Sequence, residues 1–230
     1  MRFIKTASQH ECAQVLSAAI AGLLKEGKSV LWLLGGGSNI PISVAAQGGI
    51  RAALEAALGP DGRARALSHL SVALTDERYG LVGHVDSNWK QLSDAGFDFS
   101  AVNGHPLLDG SDLETTARRY GALVERLMGE ADVVIAQLGI GADGHTAGIL
   151  PQSPAVRSAE AVCAYATDAF TRITLTPKTL LKVPIAYAFV FGEGKRQAVE
   201  MLRDSVRTFD DQPAQLLKHI ADASLLSDQL

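Results

Sequence analysis

The segment QLGIGADGHTAGILP, residues 137–151, combines closely spaced glycines with an aspartate and a histidine. A histidine titrates near neutral pH, so His145 could act as a general base while Asp143 orients its ring. A surface histidine in an ordinary turn would give the same local pattern. The density of glycines favours the catalytic interpretation, because so much backbone freedom in one loop needs a reason.

Gly139, Gly141 and Gly144 in this segment have the G-x-G-x-x-G spacing of dinucleotide-binding loops. That fingerprint requires a helix opening at the last glycine and an acidic residue about 20 positions later. Pro151 and Pro154 interrupt any helix soon after Gly144. We therefore predict no nucleotide cofactor, and we expect the glycines to shape a catalytic turn.

A second glycine-rich segment, GGGSNIP at residues 35–41, follows the apolar run SVLWLL. Glycines let backbone amides approach a ligand, and Pro41 suits the first turn of a following helix. The segment predicts an anion site made of Gly36, Gly37, Ser38 and Asn39. Asn39 would cap the helix or donate to a phosphate. A tight turn without a ligand is the alternative, and the G-x-x-x-x-G-K-[ST] pattern of nucleoside triphosphatases is absent.

Four further charged residues lie at the edges of β-type runs: Asp76, Arg78, Arg172 and Lys195. The planar guanidinium of Arg78 could hold a phosphate or a carboxylate. Lys195 is unusual at a helix start, where acidic residues are preferred. Each residue alone is compatible with a solvated turn, a local ion pair or a strand flank. If the three cations among them converge with the amides of the glycine segment, they form a phosphate pocket beside His145.

Apolar β-type runs alternate with helical patterns and must position these residues. The predicted strands cover 29–34, 70–75, 132–138, 172–176 and 185–191. The predicted helices cover 10–26, 41–58, 86–94, 111–129, 194–206 and 213–220. The pattern predicts a single α/β domain over residues 1–230, with a doubly wound, mainly parallel sheet and helices on both faces. Ligands of such sheets bind beyond the carboxyl ends of the strands, where the motifs lie.

Residues 59–62 and 103–110 contain glycine and proline and predict surface loops. The helix over 111–129 has the best-marked boundary, because Ser111 and Glu114 have the spacing of a capping box. A buried stripe is predicted along it at helical spacing, made of Leu113, Ala117, Tyr120, Val124 and Leu127.

The composition excludes several classes of protein. The chain has 230 residues, 47% of them hydrophobic, and a net charge of −4, which gives no electrostatic reason to expect nucleic acid or an anionic membrane as partner. No apolar run reaches the ~20 residues of a membrane helix, and no signal peptide is indicated. Cys12 and Cys163 have no disulfide or metal-binding spacing and are expected to be buried. We therefore expect a cytoplasmic protein, and no motif predicts its oligomeric state.

Over about residues 30–220, the chain resembles the 6-phosphogluconolactonase and glucosamine-6-phosphate isomerase superfamily. The resemblance is carried by five motifs that occur in the order typical of that superfamily: TDER…DSN, LGIGADGHTAGILP, RITLT, GEGK and QPAQLL. The resemblance implies a doubly wound α/β fold, a six-carbon sugar 6-phosphate as substrate, and no metal or organic cofactor. For the lactonase branch it implies hydrolysis of 6-phosphogluconolactone, a step of the pentose phosphate pathway.

Two branches of this superfamily compete. In the deaminase/isomerase branch, the segment at the histidine is usually similar to GHIAFNEP, and the glutamate of that segment shares in proton transfer. Here Leu150 occupies the position of that glutamate. GHTAGILP and DER are closer to the lactonase pattern, whereas YGLVGH is similar to the deaminase branch. A non-catalytic sugar-phosphate-binding protein on the same scaffold is the third possibility.

The chain departs from the lactonase pattern in two segments. In the lactonases, the loop that corresponds to GGGSNIP is usually similar to S-G-G-S-T-P. Here the first serine is absent and one residue is inserted before Pro41. The proline-rich stretch usual before RITLT is replaced by ATDAFT. These departures concern phosphate affinity and sugar identity more than the fold.

Overall fold

Ten strands and seven α-helices alternate along the chain, and the computed structural model describes all 230 residues. The strands are β1 (Arg2–Lys5), β2 (Val30–Leu34), β3 (Leu70–Leu74), β4 (Asp76–Arg78), β5 (Asn103–His105), β6 (Val133–Leu138), β7 (Val162–Ala166), β8 (Thr171–Leu175), β9 (Ile185–Val190) and β10 (Asp222–Ser227). The α-helices are α1 (Gln9–Lys25), α2 (Ile40–Leu67), α3 (Asn88–Asp94), α4 (Leu113–Glu130), α5 (Pro154–Arg157), α6 (Pro177–Leu180) and α7 (Arg196–Asp204).

Seven strands form one sheet in the order β1-β10-β9-β6-β2-β3-β5, and every neighbouring pair is parallel. The predicted parallel sheet is therefore confirmed. From β2 the chain proceeds outward through β3 to β5, then returns to β6 on the other side of β2. The strand order reverses between β2 and β6, and the loops that follow these two strands diverge there.

Helices cover both faces of this sheet, which confirms the doubly wound fold. Along β2, Leu31 and Leu33 pack into a core with α4 and α7. The alternate residues Trp32 and Leu34 pack into a second core with α1 and α2. This alternation follows from the period of two in a strand, and a strand buried on both faces has no polar side. All five residues of β2 are buried.

Three strands form a separate antiparallel sheet in the order β4-β8-β7. The predicted strand over 172–176 is present as Thr171–Leu175, but it belongs to this small sheet and not to the parallel one. Five short strands were not predicted: β1, β4, β5, β7 and β10. β4 is the DER triplet itself, residues 76–78, which excludes the alternative that these residues form a solvated turn.

Both predicted loops contain regular structure. Residues 59–62 lie within α2, where Gly59 has φ of +69° and kinks the helix before Pro60. Residues 103–105 form β5, which pairs with β3 at the edge of the parallel sheet. The predicted helix over 213–220 is a 3-10 helix, Pro213–His219.

The start of α4 differs from the predicted capping box. Asp112 is the N-cap, and its side chain accepts a hydrogen bond from the amide of Thr115. The Ser111 carbonyl instead accepts from the hydroxyl of Tyr79. The buried stripe is confirmed for Tyr120, Val124 and Leu127, and its other two members are partly buried against the same core.

The remaining expectations concern cysteines and membrane spans. Cys12 is fully buried and Cys163 is half-buried, and both are free thiols. None of the helices combines the length and apolar character that crossing a membrane requires.

Candidate active site

A cavity of about 430 Å³ opens at the carboxyl ends of β2 and β6, where the strand order reverses. Its lining includes eight of the ten predicted site residues: Gly36, Gly37, Ser38, Asp76, Arg78, His145, Arg172 and Lys195. A larger cavity of about 670 Å³ lies between α4 and β7, but neither a histidine nor a glycine-rich loop lines it. The groups capable of chemistry therefore meet in the smaller cavity.

His145 and Asp143 form a close pair in the loop after β6. Asp143 Oδ1 lies 2.6 Å from His145 Nδ1 and accepts a second bond from the His145 amide at 3.1 Å. Burial works to raise the pKa of Asp143, but the hydrogen bonds from the His145 ring and amide, together with the charge of His145, outweigh burial and hold that pKa below its ordinary value. An ionised carboxylate only accepts, so Nδ1 is the nitrogen that donates to Asp143, and in the neutral form of the ring Nε2 carries the lone pair. The ring is thus oriented to accept a proton at Nε2.

The glycines of this loop make room for the pair. A Cβ on Gly141 would lie 2.1 Å from His145 Nδ1, and a Cβ on Gly139 would lie 3.2 Å from Asn39 Nδ2. Gly144 has φ of +83°, which favours glycine. No helix begins at Gly144, since α5 starts only at Pro154. The G-x-G-x-x-G spacing therefore serves the geometry of the histidine turn.

We expect Gly141→Ala to lower kcat by about 10-fold or more, because the added methyl would displace the imidazole and misplacement of about 1 Å is costly. Gly129→Ala is the matched control, since a Cβ there meets nothing within 4 Å. Steady-state kinetics and thermal denaturation of both variants measure the effect. Full activity in Gly141→Ala would show that the position of the His145 ring does not limit turnover.

Arg78 and Arg172 face each other across the small sheet, where they are direct register partners of β4 and β8. Arg172 lies 3.7 Å from Asp76, and Arg78 donates to the Asp86 carbonyl at 2.9 Å. The Nε atoms of both arginines are buried and have no partner within the protein. Both arginine side chains line the cavity and bring two positive charges to it.

Lys195 brings a third cation from the end of β9. Its Nζ donates to Ser38 Oγ at 3.2 Å, which joins it to the glycine loop after β2. Partial burial lowers the pKa of Lys195. Ser38 belongs to a 3-10 turn that leads into α2, and Gly37 in this turn has φ of +61°. The expected convergence of three cations with the glycine loop is present.

Asp76 is the one carboxylate that lines the cavity, and it is buried. Burial raises its pKa, although the charges of Arg78, Arg172 and His145 oppose that rise. Relative to the unfolded chain, the fold therefore favours the neutral carboxyl. Stability is lost as pH rises from the ordinary carboxyl range through the raised pKa.

Asp76→Asn has no charge to bury, so we expect its Tm to exceed that of the unaltered protein by a few degrees at neutral pH. The margin should widen as pH rises through the raised pKa of Asp76 and then stay constant. Thermal denaturation between about pH 4 and about pH 8 measures it. A margin that shrinks with rising pH would mean that the neighbouring cations outweigh burial.

Two predicted residues do not line the cavity. Asp143 lies behind His145, as a group that orients the ring would. Asn39 is buried between the two glycine loops, and its side chain makes no capping hydrogen bond to α2. Asn39 therefore occupies the N-cap position of α2 without the side-chain hydrogen bond that the first of its two predicted roles requires. Pro41 does lie in the first turn of that helix, as expected.

The motifs did not predict a buried hydrogen-bond network around the Gln137 amide, which lies beneath the two glycine-rich loops. Gln137 in β6 is fully buried, donates to the Asn39 carbonyl at 3.2 Å and accepts from Ser43 Oγ at 3.0 Å. It ties the loop after β2 to the strand that precedes His145. A glutamine within an apolar run was the available signal, because a buried amide persists only where its hydrogen bonds are satisfied.

Residues of the DSN segment also reach the site. Asn88 lines the cavity and donates to the Asp76 carbonyl at 2.9 Å. A Cβ on Gly36 would lie 2.1 Å from Asn88 Oδ1, which explains the glycine at that position. Glu77 is fully buried and accepts from Ser87 Oγ at 2.8 Å and from the Asn88 amide at 2.6 Å. Glu77 thereby fixes the start of α3 against β4.

Comparisons with known proteins identify relatives of this arrangement. The family model described as glucosamine-6-phosphate isomerases/6-phosphogluconolactonase matches residues 5–226. A 6-phosphogluconolactonase from Shewanella baltica OS155 has a similar structure, with a TM-score of 0.77, 20% identity, and coverage of 99% of this chain and 97% of that one. A monomeric glucosamine-6-phosphate deaminase gives a TM-score of 0.76, 21% identity, and coverage of 99% and 97%.

A third similar structure is the 6-phosphogluconolactonase from Trypanosoma brucei, with a TM-score of 0.74, 20% identity, and coverage of 99% of this chain and 96% of that one. A comparison with curated protein sequences gives no match. At these identities, the likeness to solved structures shows the fold.

Proposed function

The chain belongs to the glucosamine-6-phosphate isomerase/6-phosphogluconolactonase family, and from this we propose that it hydrolyses 6-phosphogluconolactone to 6-phosphogluconate in the pentose phosphate pathway. One observation carries the proposal. The Asp143-bound imidazole of His145 opens into the same cavity as Arg78, Arg172 and Lys195. A general base and a phosphate-binding cluster are the two groups that this reaction needs.

In the proposed reaction, His145 Nε2 takes a proton from a water molecule as its oxygen attacks the lactone carbonyl carbon. The tetrahedral intermediate then collapses, the bond from that carbon to the ring oxygen breaks, and the imidazolium returns its proton to the leaving oxygen. Asp143 supports the imidazolium formed between these steps. Help of this kind contributes ~10²–10⁴-fold to the rate.

The cations and the glycine loop hold the phosphate at the other end of the sugar. Arg172 and Lys195 supply charge, and Gly36 and Ser38 border the same space. The Gly36 amide has no partner within the protein and can donate to a phosphate oxygen. Fixing the phosphate positions the carbonyl for attack, which lowers the entropic part of the barrier.

The residue at position 150 favours hydrolysis over deamination. In the deaminase branch a glutamate that transfers protons corresponds to Leu150, and leucine has no proton to transfer. The Leu150 amide donates to the Tyr165 hydroxyl at 3.3 Å, so this segment is fixed against β7. The YGLVGH segment is similar to the deaminase branch, so deamination is the alternative reaction that the test must include.

The test is turnover of freshly generated 6-phosphogluconolactone, corrected for spontaneous hydrolysis, beside ammonia release from glucosamine 6-phosphate. We expect hydrolysis and no ammonia. Ammonia release without hydrolysis would replace the proposal by a deaminase. Binding of 6-phosphogluconate without turnover of either compound would identify a sugar-phosphate-binding protein.

A further inference from the structure

Arg78 and Arg172 occupy directly opposite positions on adjacent antiparallel strands. Like charges so placed repel each other and destabilise a sheet. The Arg172 side chain is only 14% exposed, so little water screens this repulsion. The charges of both arginines act on the carboxyl of Asp76, which offsets part of this repulsion. A group in contact with both side chains would in addition hold them toward one ligand.

The polar contacts of this pair each restrain a single arginine. Asp76 forms an ion pair with Arg172, and the Asp86 carbonyl accepts from Arg78. Neither contact fixes the distance between the two guanidinium groups. The Nε atoms of both arginines are buried and have no hydrogen-bond partner, so no Nε contact joins the two groups either.

The ring of Phe170 contacts both arginines. The Cζ atom of Arg78 lies 5.4 Å from the ring centroid, and that of Arg172 lies 5.8 Å from it. Both distances are within the ≈ 6 Å at which an aromatic face attracts a cation. Phe170 also precedes Arg172 by two residues, so their side chains project from the same face of the chain as it enters β8.

The turn between β7 and β8 holds Phe170 in place. Its carbonyl accepts from the amide of Thr167 and from the Thr167 hydroxyl, both at 2.8 Å. Its amide donates back to the Thr167 hydroxyl at 3.0 Å. This turn is the ATDAFT segment, in which the chain departs from the proline-rich stretch of the family pattern.

We propose that Phe170 is a positioning residue of the phosphate site, whose aromatic face holds the guanidinium groups of Arg78 and Arg172 together toward one anion. The inference rests on the proposed role of these arginines in binding the substrate phosphate. The ring offsets the repulsion between the two cations and leaves their N–H donors free. Phe170 acts through the arginines and contacts no reacting atom.

Three variants distinguish the contribution of the aromatic face of Phe170 to phosphate binding from that of its volume: Phe170→Tyr, Phe170→Leu and Phe170→Ala. The measurements are the Kd for inorganic phosphate by calorimetry and the kcat and KM for the lactone. We expect Phe170→Tyr to bind within about 2-fold of the unaltered protein, since its ring has the same attraction for cations. Phe170→Leu should weaken phosphate binding by about 5- to 30-fold through loss of two cation–π contacts, with kcat unchanged.

Phe3→Leu is the control, because Phe3 is half-buried in β1 at the far edge of the parallel sheet. It should leave the Kd unaltered. If Phe170→Ala fails to fold, the Tyr and Leu variants still decide the matter. Unchanged phosphate affinity in Phe170→Leu, or equal weakening in the Tyr and Leu variants, would overturn the proposal.

The phosphate measurement needs no turnover, so it distinguishes the two proposals. If the protein did not hydrolyse the lactone, the proposed function would be wrong. The order of the phosphate Kd values among the Phe170 variants would still test the role of Phe170. Absence of phosphate binding by the unaltered protein would overturn the role of Phe170.

Discussion

His145→Gln is expected to lower kcat for 6-phosphogluconolactone by about 10²–10⁴-fold while KM changes little. Glutamine retains an N–H donor for Asp143 but cannot accept a proton from water at neutral pH. The phosphate cluster is untouched by the change, so binding should persist. The substitution therefore separates proton transfer from binding.

The control for this variant is His10→Gln, since His10 is exposed on α1. Both variants should fold, as judged by thermal denaturation, and both should bind inorganic phosphate with the affinity of the unaltered protein. Steady-state kinetics, corrected for spontaneous hydrolysis, gives the comparison. Turnover close to that of the unaltered protein in His145→Gln would reject His145 as the base.

Arg172→Met is expected to raise KM by about 100-fold, with a smaller effect on kcat. The change removes charge-assisted hydrogen bonds to phosphate, which contribute about 1.5–3 kcal/mol each. It also leaves the carboxyl of Asp76, 3.7 Å from Arg172, without its ion-pair partner, so whatever negative charge that carboxyl carries then opposes an anion in the site. Methionine keeps the apolar stem of the side chain, which limits the loss of packing.

The matched control is Arg126→Met, because Arg126 is exposed on α4 and pairs only with Glu130. It should leave KM unchanged, since exposed ion pairs of this kind contribute little. In the double variant Arg172→Met/Asp76→Asn, part of the lost affinity should return as the unpaired carboxylate is removed. Unaltered KM in Arg172→Met would mean that the phosphate binds elsewhere.

The parallel sheet could be predicted because its strands are buried on both faces. Runs such as SVLWLL in β2 need no long-range partner to be identified, since nearly every residue is apolar. The strand over 172–176 could be predicted from Ile173 and Leu175, which alternate with β-branched threonines. Its sheet could not, because periodicity indicates burial but carries no information about which strand lies alongside.

β4 could not be predicted from its residues. A triplet of Asp, Glu and Arg reads as exposed, yet Asp76 and Glu77 are buried. Glu77 is satisfied by groups about ten residues away at the start of α3, and such pairings are set by the tertiary fold. The prediction of the α4 N-cap was wrong for a local reason. Ser111 and Asp112 are both favourable N-cap residues, and in the fold Asp112 takes that position.

Most of the candidate site followed from residue types at strand ends. Glycines beside His145 and cations beside strand edges are local signals, and parallel strands bring their carboxyl ends together. Phe170 gave no such signal, and the only signal for Gln137 was an amide within an apolar run. The roles of both depend on groups that the fold brings to them, such as Ser43 for Gln137 and Arg78 for Phe170.

A crystal structure with 6-phosphogluconate bound would decide the proposed assignment of the site. The phosphate should lie among Ser38, Arg78, Arg172 and Lys195, and the carboxylate should lie within hydrogen-bond distance of His145 Nε2. A phosphate seated on His145, with the carboxylate toward Lys195, would contradict it.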